Sequence, residues 1–331
     1  MGNPVPLAEI WRGPFLESVH LGHAVIVDDS GQIVQAWGDP TAVVLPRSSS
    51  KMVQGLPLIE SGAADAFGLT QEHLALACAS HNGAPIHTGR VQAWLAQLGL
   101  SDDDFRCGPQ DPGDQDTHQA LIRAGQTPCQ YHNNCSGKHA GFLTLNQHIG
   151  GGAEYVEPDH PIQKSIKDAF QDVTGEDSPG FGIDGCSAPN FATTLMGMGR
   201  AMAVFAKAQE GQGTRASAAA RLRDAMIAYP ELVAGEGRAC TELMRAAGGR
   251  VALKTGAEAF FAGIVPEKGW GIALKIMDGS TRGAECAIAS ILVKYGLLEA
   301  DHPATLKRRN AVLRNWRGIE TGMLRPAAGL I

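Results

Sequence analysis

The sequence predicts an α+β fold in which one antiparallel sheet, built from both ends of the chain, carries an inserted helical region. Strand-like segments lie toward both ends of the 331 residues, and helical patterns fill most of the chain between them. We expect a single domain over residues 1–331, with the sheet from about 1–47 and 250–298 and the helical region from about 48–249. No segment rich in proline, serine or charge separates independent domains.

Two pairs of short apolar runs predict the strands of this sheet. Near the N-terminus, residues 24–27 and 33–37 flank the turn sequence D-D-S-G, which is typical of a β-hairpin. Near the C-terminus, residues 258–265 and 270–277 flank P-E-K-G in the same way. Residues 281–296 follow with a helical pattern, so a final long helix is expected to pack on the sheet.

Capping residues and apolar spacing predict the helices between the strands. Thr88 can cap a helix whose apolar residues recur with helical spacing at Val91, Trp94, Leu95 and Leu98. Ser187 can cap the next long helix, with Pro189 in its first turn and apolar residues through Val204. Residues 216–229 indicate a further helix that ends before Pro230.

Composition and charge narrow the function classes. The chain is 44% apolar with a formal net charge of -6, which gives no reason to expect nucleic acid or an anionic membrane as partner. No apolar run of about 18 residues predicts a membrane span, and the N-terminus lacks the pattern of a signal peptide. Seven cysteines, an odd number in a large chain, argue against a disulfide framework. We expect a cytoplasmic protein with reduced thiols.

Three short motifs in a fixed order point to serine chemistry. They are S-S-S-K at 48–51, S-H-N at 80–82 and K-T-G at 254–256. The patterns S-x-x-K, S-x-N and K-T-G, in this order, are the active-site elements of serine acyl-transfer enzymes of the β-lactamase and penicillin-binding class. Each motif also has a purely structural interpretation, as a polar helix start, a helix end at Asn-Gly, or a lysine at a strand end.

The pair Ser48 and Lys51 has the spacing of a nucleophile and its base. Residues three apart on a helix share one face, about 5–6 Å apart at Cβ. A serine hydroxyl is a poor nucleophile until a base takes its proton, and a lysine can do so only when its pKa falls well below about 10.4. Lys254, next to Gly256, can serve a second serine in the same way.

A second cluster, rich in sulfur, predicts a metal site. Cys135 and Lys138 lie three residues apart at a predicted helix start, and Cys186 lies in another polar loop that leads into a helix. Two thiolates suit Zn²⁺, for which His132 or His139 is the chemically obvious third ligand. The alternative is that both cysteines are buried as small apolar side chains.

Five segments together resemble the L-asparaginase II family, the rhizobial-type or class 3 asparaginases. They are R-S-S-S-K-M-V-Q-G-L-P-L at 47–58, A-S-H-N-G at 79–83, N-C-S-G-K-H-A-G at 134–141, G-I-D-G-C-S-A-P at 182–189 and K-T-G-A-E at 254–258. The resemblance covers nearly the whole chain. It implies a fold related to serine β-lactamases and glutaminases, hydrolysis of L-asparagine to L-aspartate and ammonia, and a homodimer.

The resemblance also implies roles for individual residues. Ser48 with Lys51, and Ser80 with Lys254, would be two catalytic serine–lysine tandems, although Lys275 is also carried by a strand and rivals Lys254. Zinc would be held by Cys135, Lys138 and Cys186. Substrate-binding roles would fall to residues around these groups, with Asp184 beside the metal: Arg47, His81, Asn82, His139 and Asp184.

The mechanism that these assignments predict is acyl transfer. Ser48, deprotonated by a neutral Lys51, would attack the side-chain amide carbon of asparagine, and Ser80 with Lys254 would relay protons while water hydrolyses the ester. The two serines can exchange roles in this scheme. The alternatives are a glutaminase, another serine amidohydrolase of β-lactamase-like fold, or a zinc-stabilised protein that binds an amino acid without turnover.

Overall fold

An antiparallel sheet is built from both ends of the chain. The computed structural model describes residues 2–331. Its strands are β1 (Val5–Arg12), β2 (Phe15–Val27), β3 (Ile33–Trp37), β4 (Val43–Val44), β5 (Phe181–Ile183), β6 (Pro189–Phe191), β7 (Thr193–Thr194), β8 (Ala252–Gly256), β9 (Phe260–Val265), β10 (Trp270–Ile276), β11 (Ala311–Arg314) and β12 (Glu320–Pro326). Eight of them form the main sheet in the order β11-β12-β1-β2-β10-β9-β8, with β3 paired to β2. Two small sheets pair β4 with β7 and β5 with β6.

Helices occupy most of the chain between these strands. They are α1 (Lys51–Gln54), α2 (Leu56–Glu60), α3 (Ala63–Ala66), α4 (Gln71–Ala77), α5 (Pro85–Gln97), α6 (Gln115–Ala124), α7 (Ser136–Ile149), α8 (Pro161–Thr174), α9 (Leu195–Lys207), α10 (Thr214–Ala228), α11 (Pro230–Val233), α12 (Ala239–Ala246), α13 (Thr281–Lys294) and α14 (Pro303–Leu306). Short 3-10 turns cover Arg47–Ser50, Asp102–Asp104, Gln130–His132 and Pro266–Lys268. The α+β prediction is confirmed.

The chain divides into two compact units. The sheet unit contains the residues up to Ser49, 193–207 and 239–331. The helical unit contains residues 50–192 and 208–238. The segment predicted as helical, 48–249, is therefore divided, because α9 and α12 belong to the sheet unit.

The sheet is covered by a helix on each face. Along β10, every second residue points to the same face, and Gly271 marks the face covered by α9. A Cβ atom at Gly271 would overlap the carbonyl oxygen of Gly199 in α9, so glycine permits the close approach of helix and strand. The helix α13 packs against β1, β9, β10 and β12, and Ile272, Leu274 and Ile276 are buried.

Several predicted boundaries are wrong, for reasons of local geometry. The helix assigned to a Thr88 cap begins at Pro85, whose fixed φ suits the first helical position, and Ala84 is its N-cap. Ser187 caps no helix: its φ is +69°, and the next residues form the strands β6 and β7 before α9 begins at Leu195. The strands β1, β11 and β12 complete the sheet outside the predicted hairpins.

The helix α7 forms the centre of the helical unit. Most of its residues are buried, including its polar first turn, and it packs against α2, α3, α4, α5 and α8. Two glycines on one face, Gly137 and Gly141, permit this packing. A Cβ at Gly137 would overlap the carbonyl oxygen of Leu76, and a Cβ at Gly141 would lie 3.3 Å from Leu58 Cδ2.

No helix among residues 2–331 combines the length and the apolar character needed to cross a membrane.

The substitution Gly137→Ala should destabilise the helical unit. Its new methyl group meets backbone of α4 that cannot move without breaking that helix, and overpacking of this kind costs about 1–3 kcal/mol. Urea unfolding followed by circular dichroism measures the change in midpoint. Gly152→Ala is the control, since a Cβ there meets nothing within 4 Å. Equal midpoints for the two variants would contradict the packing argument.

Candidate active site

The K-T-G strand and the turn that carries Ser48 are in direct contact within the sheet unit. The Ser49 hydroxyl donates a hydrogen bond to the carbonyl oxygen of Lys254, at 3.0 Å. A Cβ at Gly256 would lie 2.5 Å from the carbonyl oxygen of Pro46 and 2.9 Å from Ser49 Oγ. The glycine of K-T-G therefore lets β8 lie against this turn, and the buried Ser49 serves as a structural link.

Arg47 and Ser48 form the exposed side of the turn. Both side chains are half-buried, and Arg47 has a φ of +52°, a left-handed conformation that is unfavourable for a non-glycine residue. Conformations of this kind cluster at functional sites, where the surroundings hold them in place. The turn presents the predicted nucleophile Ser48 between a strained residue and the buried Ser49.

Lys254 lies on β8 and is almost completely buried. Its Nζ donates to the carbonyl oxygen of Thr255 at 2.9 Å. The Thr255 N–H in turn donates to Cys240 Sγ at 3.2 Å, which anchors the strand beneath the lysine. With 1% of its surface exposed, the Lys254 amine is removed from water.

Lys51 and Ser80 form a buried pair in the helical unit. Lys51 is 1% exposed, and its Nζ lies 2.9 Å from Ser80 Oγ. The same amine also contacts the carbonyl oxygens of Ala79 and Asn134, the second at 3.5 Å. Ser80 is fixed through its backbone, since its N–H donates to the carbonyl oxygen of Val233 at 2.9 Å.

Lys51 Nζ has three oxygen partners, the Ser80 hydroxyl and the carbonyl oxygens of Ala79 and Asn134. The two carbonyl oxygens can only accept hydrogen bonds, whereas the Ser80 hydroxyl can both donate and accept. The contact between Lys51 and Ser80 is therefore the one along which a proton can pass without movement of the backbone.

His81 is a buried neutral histidine beside this pair. Its Nδ1 accepts a hydrogen bond from the Gly83 N–H at 3.1 Å. Its Nε2 therefore carries the proton and donates to Ser136 Oγ at 2.9 Å, while Ser136 donates to the carbonyl oxygen of Tyr131. The ring stacks on His87 at 4.8 Å between centroids, nearly parallel.

Burial keeps both stacked histidines uncharged. It is the main reason that the pKa of His81 lies well below 6.5, and the charges of His87 and Lys51 lower it further. The pKa of His87 is also lowered, again mainly by burial. A positively charged imidazole at His81 would lie near the amine of Lys51. The neutral state of the two histidines therefore allows Lys51 to stay buried.

Asn82 is packed into the loop structure around Ser80. Its carbonyl oxygen accepts from the Asp114 N–H at 2.8 Å, and its Oδ1 accepts from the Ala84 N–H at 3.3 Å. Gly235, with a φ of +109°, lies so close that a Cβ there would be 2.6 Å from the Asn82 amide. These contacts give Asn82 a role in holding the loop beside Ser80.

Lys138 and Cys186 are in contact in the interior of the helical unit, and Cys135 lies at the start of the helix that carries Lys138. All three are buried, and Lys138 Nζ lies 3.0 Å from Cys186 Sγ. The fold places Cys135 at the N-cap of α7 and Lys138 one turn later, on the same side of the helix. None of the cysteines among residues 2–331 forms a disulfide bond.

The charges in this cluster favour a thiolate on Cys186. A hydrogen bond from Cys135, together with the positive charge of Lys138, outweighs burial and holds the pKa of Cys186 well below its usual range. The same hydrogen bond and burial raise the pKa of Cys135. Burial lowers the pKa of Lys138, but the charges of Cys186 and Cys135 more than compensate and raise it. The cluster is a buried ion pair with an adjacent thiol.

The donor set fits Zn²⁺. In the part of the chain that the structure describes, no group of three histidine, cysteine, aspartate or glutamate side chains could hold a metal ion. The cluster instead offers two sulfurs and an amine, of which one sulfur is ready as a thiolate. Soft sulfur with one nitrogen suits Zn²⁺, provided that Cys135 and Lys138 each release a proton on binding.

His139 follows Lys138 in α7 and is completely buried. The Tyr155 hydroxyl accepts from the Arg106 N–H at 2.9 Å, so it donates to His139 Nδ1 at 2.8 Å. The imidazole proton is then on Nε2, a buried atom that makes no hydrogen bond within residues 2–331. Burial lowers the pKa of His139 to about 4. Tyr155 therefore selects the tautomer of a neutral His139.

A tight turn places Asp184 beside Cys186. The Asp184 carbonyl oxygen accepts from the Ser187 N–H at 2.9 Å, and Ser187 adopts its left-handed conformation there. The Asp184 carboxylate accepts from the Gly185 N–H at 2.8 Å and is among the charges that raise the pKa of Lys138. This half-buried carboxylate lies at the outer side of the cluster.

The structure thus joins some predicted residues and adds others. It brings Lys51 to Ser80, and Cys135 and Lys138 to Cys186. Sequence analysis missed Tyr155, the structural role of Ser49, and Asn134, whose carbonyl oxygen accepts from Lys51 and from the His81 N–H. Only Asn134 carried a signal, through its place in N-C-S-G-K-H-A-G.

Comparison with known proteins identifies the chain's family. The model of the L-asparaginase II family matches residues 8–326. The chain therefore belongs to the L-asparaginase II family, which confirms the resemblance seen in its motifs. It is an amidohydrolase of the asparaginase type. No curated protein has a matching sequence.

Solved structures similar to the chain have low sequence identity to it. A putative β-lactamase from Bacteroides dorei DSM 17855 aligns at 13% identity and a TM-score of 0.39, over 77% of this chain and 84% of that one. Mglu in its native form aligns at 12% and 0.47, over 89% and 69%. A penicillin-binding protein homologue from Caulobacter crescentus aligns at 12% and 0.39, over 84% and 92%.

Stability should fall as the pH falls below about 6.5, because His81 and His87 are held neutral. Their pKa values are lowered in the folded protein, so the unfolded chain binds more protons in this range and is favoured. Each histidine contributes a slope of up to about 1.4 kcal/mol per pH unit. Urea unfolding between about pH 4 and pH 8 measures it, and His87→Phe should give a shallower slope. An unchanged slope in that variant would contradict the assignment.

Proposed function

We propose that the protein hydrolyses L-asparagine to L-aspartate and ammonia by serine–lysine acyl transfer. The observation that carries this proposal is the buried pair in which Lys51 Nζ lies 2.9 Å from Ser80 Oγ. Family membership supplies the asparaginase-type reaction, and the pair supplies a hydroxyl next to a base. An amide is a poor electrophile, so an activated hydroxyl is the group that its hydrolysis requires.

Lys51 is the general base in this proposal. Its two carbonyl partners hold the amine in place, and its lone pair faces a hydroxyl rather than water because the amine is 1% exposed. The neutral His81 adds no positive charge beside this amine. After proton transfer the same carbonyls stabilise the ammonium ion.

The acylated serine is either Ser80 or Ser48. The contact with Lys51 supports Ser80, whereas the S-x-x-K spacing supports Ser48, which lies in a turn held by Ser49 and Lys254. In both schemes the serine oxygen attacks the side-chain amide carbon, and ammonia leaves with a proton from a lysine. Water then hydrolyses the aspartyl ester, and the second serine with Lys254 carries protons.

A Zn²⁺ ion is the cofactor that we propose for the sulfur cluster. Cys135, Lys138 and Cys186 would hold it, and Lys138 Nζ already lies 3.0 Å from the Cys186 sulfur. When bound, the ion supplies a Lewis acid for the α-amino or α-carboxylate group of the substrate. The half-buried carboxylate of Asp184 can pair with the α-amino group of the substrate. The homodimer and the cytoplasmic location stay predictions.

The first experiment is ammonia release from L-asparagine and from L-glutamine, measured side by side. Release from asparagine well above that from glutamine is expected. One additional methylene in a pocket discriminates by about 1–3 kcal/mol, so a residual glutaminase rate fits the proposal. Equal rates would indicate a broader amidohydrolase. Absence of release from both substrates would refute the proposed function.

Lys51→Met should reduce kcat by about 10³-fold or more, because it removes the base and leaves the volume nearly unchanged. Intact-protein mass spectrometry of the variants Ser80→Ala and Ser48→Ala, each mixed with substrate to trap an ester, identifies the acylated serine. The variant that cannot form an aspartyl ester lacks the nucleophile. Lys167→Met, at an exposed position of α8, is the control. A Lys51→Met enzyme with nearly full kcat would disprove the role of Lys51.

Zinc binding should require both cysteines and should release protons. Cys135 and Lys138 each lose one proton on binding, so the apparent affinity should rise steeply with pH. Competition with a chromogenic chelator measures it. Cys186→Ser should abolish binding, whereas Cys129→Ser, which alters a thiol outside the cluster, should retain it. Equal binding by the two variants would exclude this cluster as the site.

A further inference from the structure

The turn that follows the K-T-G motif has an unusual backbone. It joins β8 to β9, and two consecutive non-glycine residues in it, Glu258 and Ala259, have φ values of +57° and +58°. Side chains disfavour this left-handed conformation, and two such residues in succession persist only when neighbouring groups hold them. Glycine would adopt it freely, yet the chain has none at either position.

Lys275 is the side chain that holds this turn. Its Nζ donates to the carbonyl oxygen of Glu258 and, at 3.0 Å, to that of Ile276. The backbone adds one bond, from the Ile276 N–H to the carbonyl oxygen of Ala259, at 3.1 Å. The lysine thus links the strained carbonyl in the turn to the strand β10, and the family-type mechanism gives it no other task.

The strand register explains why Lys275 reaches the turn. Lys275 lies opposite Phe260, the first residue of β9 after the turn. Lys254 lies opposite Ala262, which lies opposite Ala273, two residues before Lys275. Because alternate residues of a strand share a face, Lys254 and Lys275 extend from the same face of the sheet.

The environment of Lys275 is only partly open to water. Burial lowers the pKa of its amine, the carboxylates of Glu258 and Asp278 oppose this effect, and the positive charge of Arg47 adds to it. Arg47, the residue before Ser48, is therefore close enough for its charge to act on Lys275. A half-buried amine with carbonyl acceptors is suited to a fixed position rather than to a mobile surface role.

A continuous set of contacts connects the turn to Ser48. The turn begins immediately after Gly256, where a Cβ would lie 2.5 Å from the carbonyl oxygen of Pro46. Two residues earlier, the carbonyl oxygen of Lys254 accepts the hydrogen bond from Ser49 Oγ at 3.0 Å. Since Gly256 has no free space on this side, a shift of the turn must displace either Lys254 or the segment 46–49.

We propose that Lys275 is a positioning residue, which fixes the K-T-G strand and the Ser48 turn by holding the left-handed turn at Glu258 and Ala259. This inference rests on the proposed asparaginase function. Lys275 takes no part in the chemical step. Its loss leaves the strand in the sheet but lets its end relax, so that Lys254 and Ser48 lose their fixed positions.

The test compares Lys275→Met with Lys275→Arg. Methionine keeps most of the apolar stem and removes the donors, and kcat should fall at least about tenfold with KM changed much less, since small misplacements of catalytic groups act mainly on the chemical step. Arginine restores donors to the turn and should recover most of kcat. Lys268→Met, at an exposed position in the same unit, is the control and should keep kcat.

A second substitution separates positioning from a general loss of stability. Ala259→Gly removes the strain at one of the two residues, so the double variant Lys275→Met/Ala259→Gly should regain part of kcat. Hydrogen exchange adds a readout that needs no turnover. Amides of residues 46–49 and 252–260 should exchange faster in Lys275→Met than in wild type, and should not do so in Lys268→Met.

The outcomes distinguish the two proposals. If the wild-type protein releases no ammonia from asparagine, the proposed function fails, while hydrogen exchange still decides whether Lys275 fixes the two segments. If the wild-type protein is active and Lys275→Met keeps its kcat, the positioning role is refuted, even when that variant melts at a lower temperature. Unchanged exchange in both segments refutes it as well.

Discussion

The burial of two lysine amines is the constraint on which the helical unit depends. Lys51 and Lys138 are both almost completely removed from water, and an isolated buried ammonium ion costs far more free energy than a folded protein can spare. Each amine therefore needs its own compensation. Lys51 has two carbonyl oxygens and a serine hydroxyl, whereas Lys138 has the thiolate of Cys186. Both solutions produce a reactive group next to a lysine.

The start of α7 connects these two solutions. The carbonyl oxygen of Asn134 contacts Lys51 and accepts from the His81 N–H, and Ser136 accepts from the His81 ring. One turn later, Lys138 reaches Cys186. A single buried helix start therefore positions the serine–lysine pair and the sulfur cluster together. Gly137, on the same turn, permits the packing against α4 that keeps this polar segment inside the unit.

A neutral histidine lies near each of the two buried amines. His81 and His139 are buried, and the pKa of each lies below its usual value, so neither adds a positive charge near the buried lysines. Each also has a defined tautomer, set by the Gly83 N–H for His81 and by Tyr155 for His139. In the sheet unit, the Ser49 hydroxyl and the close approach at Gly256 join β8 to the Ser48 turn.

The sequence by itself determined the fold class, the two hairpins and the order of the serine, lysine and cysteine motifs, because strand periodicity and motif order are local properties of the chain. It also indicated that Cys135, Lys138 and Cys186 belong together. Only the tertiary structure decided that Lys51 contacts Ser80, that Ser49 is a structural link, and that Tyr155 selects the tautomer of His139. Ser187 and Thr88 showed the limit of local reasoning, because strand pairing and a proline overrode their capping propensity. Contacts between distant segments depend on packing, and no short-range pattern encodes them.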